Sequence, residues 1–497
     1  MYDVIIIGSG YGGSVTAARL AGLGKVLVVE RGKHWRSGDF PNGLTAFARS
    51  YRTRRNPLGL WEVRLGEGTG NAYVSGVGGA SLCYYGITTR PDAHAFDGWA
   101  VSGSELDPYY QRALERLRPE PDPDADLYGD KQFLDHVEPG HRHDLTNMID
   151  WQKCTRCGNC VTGCNVDAKR SLDRTYLADA LAAGAERRAE TEGVGLRPKK
   201  GGGWEVLARH TEHQGEPEAI PARHVILAGG TLGTLDLLYK ERETLPLSPA
   251  FGRDVSMNGD GAAFLYNTRF PIGGHEGAPI TTTVRLTHHV DGRPRTLTVM
   301  SGRVPKFIMH SSANLMNALA PVMGERYEAE GDPLGARASR RARDVTGVKK
   351  GGAFSQTFMY KLDGQDSARG QIRFDEDGRS SVDWADYAND PIMAFAAERL
   401  KVWAAKVGGT LLPDLGTWPG LRSFGVHPLG GCRMSTTWAG GVVDKRLRVR
   451  TVDGVYPGLR IVDGSVIPFS LGVPPSLTIA ALAERAAEDL GRELKAG

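Results

Sequence analysis

The opening strand–turn–helix–strand constrains the fold more than any other feature. Val4-Ile5-Ile6-Ile7 is an unbroken apolar run, the kind buried on both faces of a parallel sheet. It leads into Gly8-Ser9-Gly10-Tyr11-Gly12-Gly13, which fits G-x-G-x-x-G with Gly8, Gly10 and Gly13 as the required glycines. Residues 14–23 have helical spacing, and 25–29 form a second buried strand that ends in Glu30. Gly8 permits the tight turn, Gly10 lets backbone amides approach a diphosphate, and Gly13 allows helix to pack closely on strand. The diphosphate then meets unpaired N–H groups at a helix N-terminus, where the macrodipole favours negative charge. Glu30 stands where a carboxylate accepts both ribose hydroxyls and repels a 2′-phosphate. The pattern is common to FAD and NAD sites.

A comparable unit recurs at His224-Val225-Ile226-Leu227-Ala228, which runs into Gly229, Gly230 and Gly233 and a predicted helix over 234–242. Alternation over 190–210, broken by a Lys-Lys-Gly-Gly-Gly turn at 199–203, predicts a β-meander. The β-branched runs at 281–286 and 296–300 predict strands of a different sheet. A last amphipathic helix is expected over 476–494, entered through Pro474-Pro475. The fold class expected is α/β: a Rossmann-type dinucleotide-binding domain with a parallel sheet and β-meander, plus a substrate domain on a largely antiparallel sheet with helices.

Composition narrows the function. With 497 residues and a formal net charge of +3, the chain lacks the basic excess of a nucleic-acid binder. No apolar run is long enough to span a bilayer. The first strand begins at once, with no secretory leader ahead of it, so a cytoplasmic location is expected. Residues 331–352 are basic, with Arg337, Arg340, Arg341, Arg343, Lys349 and Lys350. They read as a solvated face rather than a docking surface for an acidic electron acceptor.

Four of the six cysteines fall in Cys154-x-x-Cys157-x-x-Cys160-x-x-x-Cys164, the spacing of the ferredoxin run C-x2-C-x2-C-x3-C. Such a loop wraps a 4Fe–4S cubane, and Gly158 and Gly163 supply its turns. Asn165 stands where ferredoxins have proline. The fourth ligand is therefore Cys164 or a remote Cys83 or Cys432. A tetrahedral zinc site or an empty reduced loop are the alternatives.

Three further segments carry a family resemblance: Gly76-Val77-Gly78-Gly79-Ala80-Ser81; Phe424-Gly425-Val426-His427-Pro428-Leu429-Gly430-Gly431-Cys432; and Ile461-Val462-Asp463-Gly464-Ser465 through Leu482-Ala483-Glu484-Arg485. Together they resemble the glucose–methanol–choline (GMC) oxidoreductases, in a branch similar to the bacterial cholesterol-oxidase-like proteins. The resemblance is weakest between about 270 and 400. It implies a discontinuous FAD-binding domain at 1–100, 185–270 and 420–497. A connecting segment at 101–184 would carry the cysteine loop at 151–170, and a substrate-binding domain would occupy 271–419.

The resemblance also implies a non-covalent FAD. Its adenosine half would lie on Gly8, Gly10, Tyr11, Gly12, Gly13, Glu30 and Arg31, with the Val194 backbone against the adenine. Gly76, Gly78, Gly79 and Ser81 would lie against the diphosphate and flavin. Gly229, Asp463 and Gly464 would hold the ribityl–diphosphate side. Pro475 would open a helix whose positive N-terminus faces the isoalloxazine.

His427 is implied as general base facing flavin N5, taking the hydroxyl proton while hydride leaves the carbinol carbon. Family members carry a second polar group, His or Asn, where this chain has Pro474, so Ser476 or a residue of the variable domain must take over. The implied activity is oxidation of a secondary alcohol: a steroid, a terpenoid, or a cyclic polyol or sugar. Electrons would leave through the cluster to an external acceptor such as a ferredoxin or quinone-type carrier, which makes a dehydrogenase rather than an oxidase. Pro474 motivates an alternative, a redox-neutral isomerase-type flavoenzyme; a flavin and iron–sulfur electron-transfer protein is another.

Overall fold

The computed structural model describes residues 1–213, 215–273, 277, 280–418 and 420–496. Strand β1 (Tyr2–Ile7) lies between the strand Glu218–Leu227 and β2 (Val26–Val29), parallel to both. Glu186–Arg188 extends this sheet beyond β2, and Gly454–Ile461 extends it beyond Glu218–Leu227, again in parallel. Val4, Ile5 and Ile6 are wholly buried because helices cover both faces. The meander appears as Thr191–Pro198 and Trp204–His210, antiparallel and joined through 199–203.

Helix α1 (Tyr11–Leu20) begins three residues before the spacing predicts. Its glycines are weak helix formers in isolation, but backbone contacts require them there. The helix over Thr231–Lys240 also starts early, just after Gly230 at φ +75°. The C-terminal helix Ser476–Ala496 packs on α1. There Arg19 makes a bidentate pair with the buried Glu484 at 2.7 and 2.8 Å.

A second, seven-stranded sheet is antiparallel throughout. Its order is Glu325–Tyr327, Gly409–Leu412, Gly261–Tyr266, Phe358–Gly364, Arg293–Gly302, Thr282–Val290, Arg142–Asp144. Gly261–Tyr266 thus pairs away from the dinucleotide-binding sheet, although the boundary expected at 270 groups the two. Arg142–Asp144, from the expected connecting segment, forms the edge of this second sheet. In the basic segment, the helix Leu334–Arg343 turns three of its four guanidiniums to protein partners and leaves Arg343 exposed. Arg337 and Arg340 pair with Asp332 at 2.8 and 2.9 Å, and Arg341 donates to the Asn317 carbonyl at 2.9 Å. These three are structural ion-pair and capping groups, not a solvated face.

A small sheet of Trp61–Leu65, Thr69–Val74 and Ser423–Gly425 joins the two halves. Its buried Glu62 collects Arg31 at 2.9 Å, Arg64 at 2.9 Å and Arg379 at 2.7 Å. Burial alone pushes this carboxyl up, but the guanidiniums beside it more than offset that and hold it well below the usual carboxylate range. Glu62→Gln leaves those cations without their counterion and is expected to cost about 3 kcal/mol at neutral pH. A folded-state pKa below the unfolded value means the stabilisation is present above roughly pH 4.3 and is lost on acidification. The gap between wild type and Glu62→Gln in urea melts should therefore narrow below about pH 4. A gap unchanged from pH 7 to pH 3 would refute this account.

Candidate active site

Three strand ends and two glycine turns meet at one place. Gly8 has φ +102°, and a Cβ there would lie 2.2 Å from the Ala228 carbonyl oxygen. A Cβ on Gly12 would lie 1.5 Å from the Val462 oxygen, and one on Gly13 would lie 1.9 Å from the Gly8 oxygen. Gly79, at φ +57°, would meet the Cα of Gly10 at 2.7 Å. Gly10 differs from all of these, because among the described residues nothing beyond its own chain neighbours lies within 4 Å of its would-be Cβ. That gap opens at the start of α1, which has no side-chain cap and no acid in its first turn. An open cradle bounded by uncapped N–H groups fits a diphosphate.

Glu30 is buried and accepts from the Ser9 N–H at 3.0 Å, the Ser9 hydroxyl at 2.7 Å and the Gly32 N–H at 2.8 Å. Ser9 Oγ also accepts from the Gly78 N–H at 3.0 Å, tying the two glycine turns together. Sequence reasoning passed over Ser9, whose only signal was its place inside the fingerprint. Ser81 spends its hydroxyl on the Gly78 carbonyl at 2.7 Å, and Gly76 packs against Trp35 and Leu82. Arg31 turns to Glu62, and the Tyr11 side chain turns inward to the Tyr84 hydroxyl at 2.7 Å. Only their backbones remain for a dinucleotide.

On the other side, Gly229 packs against Gly233 and Thr234. Asp463 accepts from the Ser465 N–H at 2.9 Å and from the Thr234 hydroxyl, and burial raises its carboxyl above the ordinary value. Gly464 has no room for a Cβ beside the Thr231 hydroxyl, at 2.8 Å. Val194 is the extra residue of a β-bulge: Gly193 faces Ala208, Gly195 faces Leu207, and the register skips it. A bulge leaves its extra residue outside the ladder. Its backbone is therefore free for the adenine contact that the resemblance implies.

His427 follows the strand Ser423–Gly425. Its Nδ1 lies 2.9 Å from the Asp363 carboxylate and 3.5 Å from that of Asp260. Lys361 donates to Asp260 at 2.6 Å and to Asp363 at 3.1 Å. Burial disfavours the ammonium, but the two aspartates more than offset this and raise its pKa. Burial likewise pushes Asp363 up, yet Lys361 and His427 hold it below its ordinary value. Asp260, Asp363 and His427 bring donor atoms within 4.8 Å of one another. Lys361 already fills the cation position, so the set is a charge cluster rather than a metal cage.

A carboxylate at Nδ1 fixes the proton there and leaves Nε2 as the lone-pair nitrogen. The Thr231 hydroxyl donates to the Pro428 carbonyl at 2.6 Å, anchoring the His427 loop to the dinucleotide-binding half.

Ser476 is buried, its hydroxyl within 3.4 Å of the Ile87 carbonyl and in hydrogen-bond contact with the Tyr11 side chain. Asn258 enters the segment before Pro474 from the loop before Gly261–Tyr266. It accepts from the Leu471 N–H at 2.9 Å and donates to the Val473 carbonyl at 2.8 Å. Asn258, Asp260, Lys361 and Asp363 were all missed from sequence. The available signal was Lys361-x-Asp363, two charges on one face of the apolar strand Phe358–Gly364.

The cysteine loop packs against the turn Gly79–Cys83. Gly158 and Gly163 have φ of +70° and +112°, and Asn165 accepts from the Gly38 and Phe40 N–H groups at 2.9 and 3.2 Å. A proline at 165 could not make that clamp. Cys160 lies within electrostatic reach of Cys154, Cys157 and Cys164, and burial pushes its thiol up to about 12. Among the described residues, these thiols are not gathered within 4.8 Å as a single ion requires. Cys83 packs among Trp35, Phe40, Leu60 and Leu82, and Cys432 lies beside Asp463.

Comparison with known proteins gives the family and the fold. The cholesterol oxidase of Acinetobacter baumannii is 27% identical over 98% of this chain and 93% of its own length. That of Mycobacterium tuberculosis is 29% identical over 98% and 90%. The fold matches pyridoxine 4-oxidase from Mesorbium loti with a TM-score of 0.63 at 17% identity, covering 99% of each chain. Residues 2–241 and 419–483 match the two family profiles described as GMC oxidoreductase, together well over half the chain. The chain belongs to the GMC oxidoreductase family.

Proposed function

We propose that this protein oxidises a secondary alcohol, of steroid, terpenoid or cyclic polyol type, with FAD bound in the cradle at Gly10. One observation carries the reading: a histidine held at Nδ1 by a buried aspartate sits on a loop tethered to the dinucleotide clasp. Bound FAD supplies the hydride acceptor. The chain's own residues do the rest. The N-terminus of α1 and Glu30 hold the two ends of the adenosine diphosphate, Val194 offers unladdered backbone to the adenine, and Asp463 with Gly464 borders the diphosphate. His427 Nε2 takes the hydroxyl proton. The cholesterol oxidases to which the chain is similar support a bulky apolar alcohol as substrate.

The same reading gives Cys154, Cys157, Cys160 and Cys164 a 4Fe–4S cluster, which would pass single electrons to an external carrier such as a ferredoxin or quinone. The ferredoxin-like spacing of the four cysteines supports it, while the oxidase names of the relatives favour dioxygen. Purified protein is expected to be yellow-brown, to contain one FAD and about four irons, and to bleach when an alcohol of this class is added without air. Oxygen consumption during turnover separates the two acceptors. Protein that takes up no flavin would overturn the proposal; flavin without iron would overturn the cluster alone.

A further inference from the structure

The cluster behind His427 is built with an unequal charge count. Asp260 and Asp363 contribute two carboxylates and Lys361 one ammonium, all buried or nearly so. While the imidazole is neutral, the four groups sum to one negative charge; with an imidazolium they sum to zero. Each member has a separate attachment. Asp260 accepts from the Val426 N–H at 2.6 Å, fixing the backbone just before His427, and Asp363 takes the ring at 2.9 Å. Asp363 Oδ1 meets His427, Lys361 and Asn258 together, while its Oδ2 is buried with no hydrogen-bond partner among the described residues.

We infer that Asp363 is the positioning partner of His427 and that Asp260 and Lys361 set the charge balance that makes it a base. This rests on the reading of His427 as proton acceptor. In the step, the substrate O–H bond breaks and its proton goes to Nε2. The carbinol C–H leaves as hydride to the flavin, and a carbonyl forms. The cluster passes from one uncompensated negative charge to none, and its three other members are buried or nearly so, where screening is weak. Lys361 keeps the surplus at one. Two uncompensated carboxylates would hold the proton too tightly, and none would leave the imidazole a weak base.

The other titratable groups facing the cluster are also buried. Asp414, from the loop after Gly409–Leu412, is pushed up by burial and by Asp260. Asp366, which accepts from the Met257 and Gly259 N–H groups at 2.9 Å each, is raised to about 7, chiefly by burial. The Tyr387 hydroxyl donates to the Asp260 carbonyl at 2.9 Å, and Tyr85 faces Lys361; burial pushes both phenols up. None supplies a competing cation.

The test follows the ring nitrogens of His427 by NMR in the holoenzyme as pH is varied, beside anaerobic flavin reduction. Wild type should show the proton on Nδ1. Asp363→Asn keeps an acceptor at Nδ1 but removes the charge. Its ring should titrate about one pH unit lower, with flavin reduction slowed by about 10²-fold. Lys361→Met should move the midpoint the other way, and Lys361→Arg should restore it. A buried packing role predicts no opposed shifts, so a midpoint unmoved in Asp363→Asn, or moved upward, overturns the inference. His427→Ala separates the levels. If it still reduces flavin at the wild-type rate, the functional reading itself fails; if it does not, while Asp363→Asn titrates as wild type, only this inference falls.

Discussion

His427→Ala is expected to slow flavin reduction by alcohol roughly 10³-fold while leaving FAD content unchanged. The loss is large because the imidazole is the group aligned for proton transfer: Nδ1 is committed to Asp363, which leaves Nε2 with a lone pair. The unchanged FAD content follows from where its contacts lie. The side chain meets Asp363 and Asp260 of the second sheet, not the glycine turns that would hold the diphosphate. The remaining Asp–Lys cluster keeps its mutual pairs, so the variant should fold. Rapid mixing without air gives the rate constant directly. Any rise of the wild-type rate with pH that reports loss of the base's proton should be absent from the variant. A variant that reduces flavin as fast as wild type would remove His427 from the chemistry.

The dinucleotide-binding half was legible because its demands are local. A run of buried β residues, a G-x-G-x-x-G turn and a carboxylate at the next strand end are contiguous in the chain, so the motif is readable from a short window. The helix starts were misjudged, since Gly12 and Gly13 read as turn by propensity while tertiary contact makes them helical. His427 stood out only because its motif surrounds it. Its partners did not, because Asp260, Lys361 and Asp363 come from a loop and a strand far away in sequence and meet only when the second sheet forms. Pro474 shows the same limit. The local sequence lacks the expected amide, and Asn258 reaches that segment from more than two hundred residues away. The arginines of the basic helix read as solvent-facing, yet Asp332 and Asn317 draw three of them inward.

Two glycines of one turn should fail in opposite ways. Gly12→Ala places a methyl 1.5 Å from the Val462 carbonyl oxygen, a backbone atom at the end of a central strand. Neither side can yield by rotating a side chain, so α1 must retreat from the strand Gly454–Ile461 by more than an ångström. Alanine gains about 1 kcal/mol over glycine in a helix. Overpacking against fixed backbone costs about 3 kcal/mol or more, so the net is destabilising even before any cofactor is considered. Among the described residues Gly10→Ala meets nothing beyond its own chain neighbours within 4 Å, and its φ of −69° and ψ of −163° suit any residue. The fold should keep its thermal midpoint when stripped of flavin, but the methyl would occupy the space where a diphosphate oxygen must approach the backbone. Flavin-stripped Gly10→Ala is therefore expected to melt with wild type and to recover little FAD on reconstitution. Gly12→Ala is expected to melt well below wild type whether or not FAD is supplied. If Gly10→Ala takes up FAD as wild type does, the open space at the start of α1 is not where the cofactor binds.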